Sequence, residues 1–185
     1  MRRSFATEKV FAGIGNRDAP EWALKLCSLI SDILASNGYI LRSGGAPGCD
    51  QAFQSRASIH SEIYVPWHGF EGFPMRWPIP DIAYEAAIYY KPSTRYASDG
   101  VASMAARNMM QILGPDLKTK ADFVVCYTKN GRQENYDGYK DVCGTDSAIT
   151  CARDNGIPVI NICNPGWSEY LSAITGLDFL HLENA

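Results

Sequence analysis

The residues with most chemical potential fall in four short stretches. Gly13-Ile14-Gly15-Asn16-Arg17 follows an apolar run and precedes a helix signal. Glycines at such a turn let backbone amides approach an anion that a side chain would block, and the helix behind it adds the positive end of its dipole. Arg17 offers a bidentate clamp for phosphate; a plain tight strand-to-helix turn is the competing reading. Ser43-Gly44-Gly45-Ala46-Pro47-Gly48-Cys49-Asp50 holds three glycines, a composition costly in chain entropy that points to a close backbone approach. Asp50 either holds this loop by accepting backbone amides or meets a ribose hydroxyl, and acids near a helix start are favoured in any case. In Met104-Ala105-Ala106-Arg107-Asn108 two polar residues interrupt an apolar run. Arg107 reads as a phosphate or ribose ligand with Asn108 beside it, whereas Met104, Met109 and Met110 read as core packing. Cys143-Gly144-Thr145-Asp146-Ser147-Ala148 opens a further helix with Thr145 as N-cap. Its free amides make either an anion site, with Gly144 giving access, or an ordinary capped helix end.

Positioning these turns requires strands alternating with helices. Lys9 to Gly13 reads as a strand, followed by a helix with Asp18 as N-cap, Pro20 in its first turn, and an apolar face of Trp22, Leu26, Leu29, Ile30, Ile33 and Leu34. Asn37-Gly38 ends it. Further strands are expected at Tyr39–Arg42, Glu62–Val65, Ala121–Cys126 and Pro158–Ile162. Helices are expected at about 50–57, 81–90, 101–113, from Cys143 to Asn155-Gly156, and at 167–175. Such alternation predicts a mainly parallel sheet covered on both faces, with ligands beyond the carboxyl ends of the strands. The stretch 67–99 breaks the pattern with Trp67, Phe70, Phe73, Trp77, Tyr84, Tyr89, Tyr90 and Tyr96 among prolines. It reads as a satellite core or an oligomer interface in preference to a platform for base stacking. His68 reads as a loop histidine. A polar segment, 128–142, precedes the last glycine turn.

At 185 residues, 46% hydrophobic and 20% charged, the chain suits one globular domain spanning 1–185. A net charge of −3 disfavours broad nucleic-acid binding; Arg2 with Arg3, or Lys118 with Lys120, read as scattered solvated charges. The six cysteines form no C-x-x-C pair and no Cys/His cluster of zinc spacing. No metal and no cofactor are expected, and reduced thiols in a cytoplasm are. No signal peptide or membrane-spanning run is read in the sequence.

Taken together, Gly13-Ile14-Gly15-Asn16-Arg17, Ser43-Gly44-Gly45-Ala46-x-Gly48-x-Asp50, Arg107-Asn108, and Gly144-Thr145-x-x-Ala148 followed by Ala152-Arg153-x-x-Gly156-Ile157-Pro158-Val159 resemble the SLOG superfamily of Rossmann-like nucleotide-binding domains. That superfamily includes the LOG phosphoribohydrolases and the Rossmann domain of the DNA-processing protein A. The resemblance covers about 10–162. It implies a Rossmann-like three-layer α/β/α fold and a small nucleotide or nucleotide derivative lying across Gly13, Gly15, Asn16, Arg17, Ser43, Gly44, Gly45, Ala46, Asp50, Arg107, Asn108, Gly144, Thr145 and Asp146. It also implies a homodimer. In the family the last motif reads P-G-G-x-G-T-x-x-E, and its glutamate acts with the arginine of an M-x-x-R helix. Here Met104-x-x-Arg107 is kept and Ala148 stands at the glutamate position. A sensing or sequestering protein is therefore the first expectation. The alternative is a phosphoribohydrolase releasing free base and ribose 5-phosphate, with Arg107, Asp146 and Asp50 as catalytic residues. Single-stranded DNA binding of the DNA-processing-protein kind is the third.

Overall fold

A computed structural model describes residues 8–55, 60–133 and 144–184. Expectations that rest on Arg2, Arg3, residues 56 and 57, 134–142 and Cys143 lie outside the described residues. Five strands, β1 (Lys9–Gly15), β2 (Tyr39–Ser43), β3 (Ser61–Ile63), β4 (Phe123–Tyr127) and β5 (Val159–Asn161), form one sheet in the order β3-β2-β1-β4-β5. Every pairing is parallel, with Phe11 opposite Leu41 on one side and Phe123 on the other. Among the described residues six α-helices accompany the sheet: α1 (Glu21–Ser36), α2 (Cys49–Gln54), α3 (Asp81–Tyr90), α4 (Asp99–Leu113), α5 (Gly144–Asp154) and α6 (Trp167–Thr175).

The period-two geometry of a strand sorts the core into two layers. Val10, Ala12 and Ile14 of β1, with Val124 and Cys126 of β4, meet α3, α4 and α5 through Ala87, Met109, Met110, Ile112 and Ile149. Phe11, Phe123 and Val125 point the other way, onto Cys27, Ile30 and Leu34 of α1, Phe53 of α2 and Leu171 of α6. Both faces of the central strands are thus covered, which explains why they read as continuous apolar runs. The result is the expected Rossmann-like α/β/α arrangement.

Several local expectations shift. Pro20, not Asp18, occupies the N-cap position of α1, and no side chain caps that end; the fixed φ of proline sets the entry instead. Thr145 is not an N-cap, because α5 already includes Gly144. The third strand runs from Ser61 to Ile63 and α4 begins at Asp99. Within 67–99 the packing expectation holds: Trp77, Ile79, Tyr84 and Tyr90 lie against the α3–α5 layer. Phe70, with Phe73 and Met75, covers Val65 and Ala46 as a small separate core. His68 accepts the Met75 N–H at 3.4 Å from an exposed loop. Cys27, Cys49, Cys126 and Cys151 are buried free thiols, as apolar surroundings suggest. Among the described residues no helix is long and apolar enough to cross a membrane.

Beyond α4 the chain turns around Asp116, whose carboxylate accepts the Lys118 and Thr119 N–H groups at 2.9 and 2.8 Å and the Thr119 hydroxyl at 2.8 Å. These bonds push its carboxyl down to about 2. The folded pKa lies below the ordinary value, so the stabilisation is present above about pH 3.8 and is lost as pH falls towards about 2. Urea unfolding across that window will show a flatter acid limb for Asp116→Asn than for the unaltered chain.

Candidate functional site

At the carboxyl end of β1 the chain leaves the sheet through Gly15, Asn16, Arg17 and Asp18, and these residues form one wall of a cleft of about 340 Å³. Ala46 and Asp50, from the β2–α2 turn, form a second wall. The third is a stripe of α4, Met104, Arg107, Asn108 and Gln111, whose i, i+3, i+4, i+7 spacing puts them on one helix face. Gly144, Thr145 and Ala148 of α5 close one side, and Lys91 and Thr94 from the stretch 67–99 close another.

The α4 stripe is polar yet buried, and its partners explain why that is tolerated. Arg107, 5% exposed, donates through Nη1 to Gln111 Oε1 at 3.0 Å and to Asp50 Oδ2 at 3.4 Å. Gln111 Nε2 also donates to Asp50 Oδ2, at 3.5 Å. Burial pushes the Asp50 carboxyl up from its ordinary value; the Arg107 charge and the Ala46 and Gly44 N–H groups act in the opposite direction. Burial lowers Arg107 in turn, with Asp50 opposing and Arg17 adding to the fall. The guanidinium stays charged in any case. Its contact with Asp50 is long, so that pair is held by charge more than by directional bonding, and its Nε finds no hydrogen-bond partner among the described residues. Asn108 Nδ2 donates to Gly144 O at 3.2 Å, tying α4 to the start of α5. Arg17 is exposed and reaches Met104 Sδ at 3.6 Å.

Three of the glycines pack closely against the protein's own groups. A Cβ on Gly44 would lie 1.7 Å from Arg107 Nη1, and one on Gly15 would lie 2.6 Å from Cys49 Sγ. Gly48, at φ +87°, faces the Arg17 carbonyl at 2.4 Å from where a Cβ would sit. These bare positions admit the protein's own groups: the guanidinium over Gly44, and the β1–α1 loop against the β2–α2 loop. The two loops are joined by the Cys49 N–H, which donates to Asn16 O at 3.3 Å. Asn16 N–H in turn donates to Tyr127 O at 3.1 Å.

Of the residues expected at a ligand, Gly15, Asn16, Arg17, Ala46, Asp50, Arg107, Asn108, Gly144 and Thr145 line the cleft. Gly13 and Ser43 lie beneath it, where Ser43 Oγ donates to Gly13 O at 2.8 Å. Gly44 is covered by Arg107, and Gly45 backs onto the Phe73 ring. Asp146 lines an adjoining hollow with Thr128, Lys129 and Asn130, which shares Asn16 with the cleft, and lies 3.4 Å from Arg132 Nη1. Met104 was expected in the core and lines the cleft instead, while Met109 and Met110 are core. No aromatic ring lines the cleft among the described residues, so the stacking platform is absent from this wall. Sequence reasoning missed Lys91, Thr94, Val101 and Gln111. Gln111 was legible one helical turn past Arg107, and Val101 one turn before Met104 on the same helix; Lys91 and Thr94 follow only from how 67–99 folds back.

No protein-family model matches the chain. No curated protein matches it either. Among solved structures, DNA processing protein A from Helicobacter pylori, described for its single-stranded DNA binding mode, superposes with a TM-score of 0.56 at 19% identity. The superposition covers 96% of this chain and 78% of that one. At such identity the likeness is one of fold, and it agrees with the Rossmann-like parallel sheet derived above.

Proposed function

We propose that the chain binds a small nucleotide or nucleotide derivative of the SLOG type in this cleft, without cleaving it. The observation that carries the reading is the buried Arg107, whose Nε–H has no partner among the described residues and which lines a cleft that also holds Arg17 and Lys91. Three cations against two carboxylates line the space, in a chain whose net charge is −3. Field lines concentrate in such a cleft and favour an anion. Binding without hydrolysis is supported by the acids. Asp50 is tied to Arg107 and Gln111, Ala148 offers no carboxylate, and Asp146 lies in the adjoining hollow within 3.4 Å of Arg132. The remaining lining acid, Asp18, is exposed to solvent.

Calorimetry with nucleoside 5′-monophosphates, cyclic nucleotides and ADP-ribose derivatives tests this. Binding of at least one at millimolar concentration or below is expected, and silence across the panel refutes it. Arg17→Ala should weaken a phosphorylated ligand by about tenfold or more, the scale of a lost charged hydrogen bond, and leave the melting temperature unchanged. Release of free base on chromatography would instead favour the phosphoribohydrolase alternative.

A second reading, single-stranded DNA, is favoured by the fold likeness to the Helicobacter protein and by exposed Arg95 and Tyr96 in the turn that carries Thr94. A gel shift with a thymidine oligomer at low salt would detect it, and true binding would weaken as salt rises.

A further inference from the structure

Thr94 is unusual among the cleft residues. It sits in the 3₁₀ turn Pro92–Tyr96, is 5% exposed, lines the cleft, and its Oγ1 has no hydrogen-bond partner among the described residues. A buried hydroxyl without a partner is destabilising, and such groups in native proteins call for an explanation. The turn has little freedom to relieve it. Pro92 fixes its start, the Thr94 N–H donates to Lys91 O at 2.9 Å, and the Ala97 N–H donates to Thr94 O at 3.2 Å. Lys91, at the C-terminal end of α3, lines the same cleft. The stretch 67–99 therefore supplies one hydroxyl and one ammonium to a site whose other walls come from the Rossmann-like loops.

We infer that Lys91 and Thr94 form the specificity wall of the cleft, reading a nucleoside monophosphate through its phosphate and one further polar atom. This rests on the nucleotide-binding reading. The Lys91 ammonium pairs with the ligand phosphate, adding to Arg17 of the same cleft. The Thr94 hydroxyl, unpartnered among the described residues, is completed by a ligand oxygen or nitrogen in the cleft. A neutral nucleoside gains the second contact and forgoes the first. Selection between phosphorylated and unphosphorylated ligands thus lies with Lys91, and selection among bases or sugars lies with Thr94.

Calorimetry on Lys91→Gln and Thr94→Val, with the four common nucleoside 5′-monophosphates and their nucleosides as probes, tests the assignment. Lys91→Gln should weaken the monophosphate about tenfold or more and leave nucleoside binding unchanged. Thr94→Val should weaken both about fivefold while raising the melting temperature of the free protein by about 2–4 °C, because it removes an unpartnered hydroxyl and keeps the shape. A Thr94→Ser variant, which retains the hydroxyl, should keep the affinity. Wild-type affinity in both Lys91→Gln and Thr94→Val, or a fall in melting temperature for Thr94→Val, overturns the inference while nucleotide binding itself stands. If the unaltered protein binds no probe, the nucleotide reading fails and this inference fails with it.

Discussion

Arg107→Ala will destabilise the protein by about 3–5 kcal/mol, as breaking a buried ion pair does, and will abolish ligand binding. Asp50 and Arg107 have side chains 5% and 6% exposed, so alanine leaves a buried carboxylate with no cation beside it. Urea unfolding reads the loss directly. The pH dependence identifies its cause. The folded pKa of Asp50 already lies above its ordinary value and will rise further without the guanidinium. A raised acid binds its proton more tightly in the folded state, so the variant should regain stability as pH falls through that raised pKa and level off near about 3.8, the unfolded value. Removing both charges, in Asp50→Asn with Arg107→Met, should recover most of the loss. A single Arg107→Ala as stable as the parent at neutral pH would show that the pair is not the keystone proposed here.

Gly48→Ala carries the second large effect. Its Cβ would stand 2.4 Å from Arg17 O, 2.7 Å from Arg17 Cα and 2.7 Å from Asn16 O, all backbone atoms that cannot swing aside. At φ +87° and ψ −129° the residue also lies where side-chain-bearing residues are strained by roughly 1–3 kcal/mol, and overpacking adds roughly 1–3 kcal/mol. The substitution should lower the urea midpoint and, by shifting Arg17, weaken any phosphorylated ligand. Gly38→Ala is the matched control. Its φ is +82° but nothing lies within 4 Å, so only the backbone strain applies. Equal losses at the two positions would mean that the contact between the loops is not what Gly48 protects.

The fold was legible because its signals are local. Apolar runs at Lys9–Gly13 and Ala121–Cys126 announce the strands found at Lys9–Gly15 and Phe123–Tyr127, covered on both faces, and Asn37-Gly38 marks the end of α1, with Gly38 at φ +82°. Asp81–Tyr90 and Trp167–Thr175 appeared with their bounds as read. The site was legible in half. Motifs on the β1 and β2 turns and on α4 carry most of its walls, and the polar pair Arg107-Asn108 inside an apolar helix was a true signal of an unusual environment. What the sequence hid is which surface each glycine faces. A bare position invites a ligand and a neighbouring chain segment equally, and Gly15, Gly44 and Gly48 turn out to face neighbours. Lys91 and Thr94 were hidden for another reason: their approach depends on the whole path of 67–99, which no local pattern encodes.

The two outermost strands of the sheet, β3 and β5, are three residues each. Where β5 ends, the Asn161 N–H is taken by Gln133 Oε1 at 2.7 Å, while the Asn161 side chain anchors Thr128 and Arg132. A brief border whose amide is already occupied offers little template for an incoming strand. The molecule should therefore remain dispersed at concentrations where a longer, uncapped border would recruit copies of itself, and Gln133→Ala is the change expected to erode that protection.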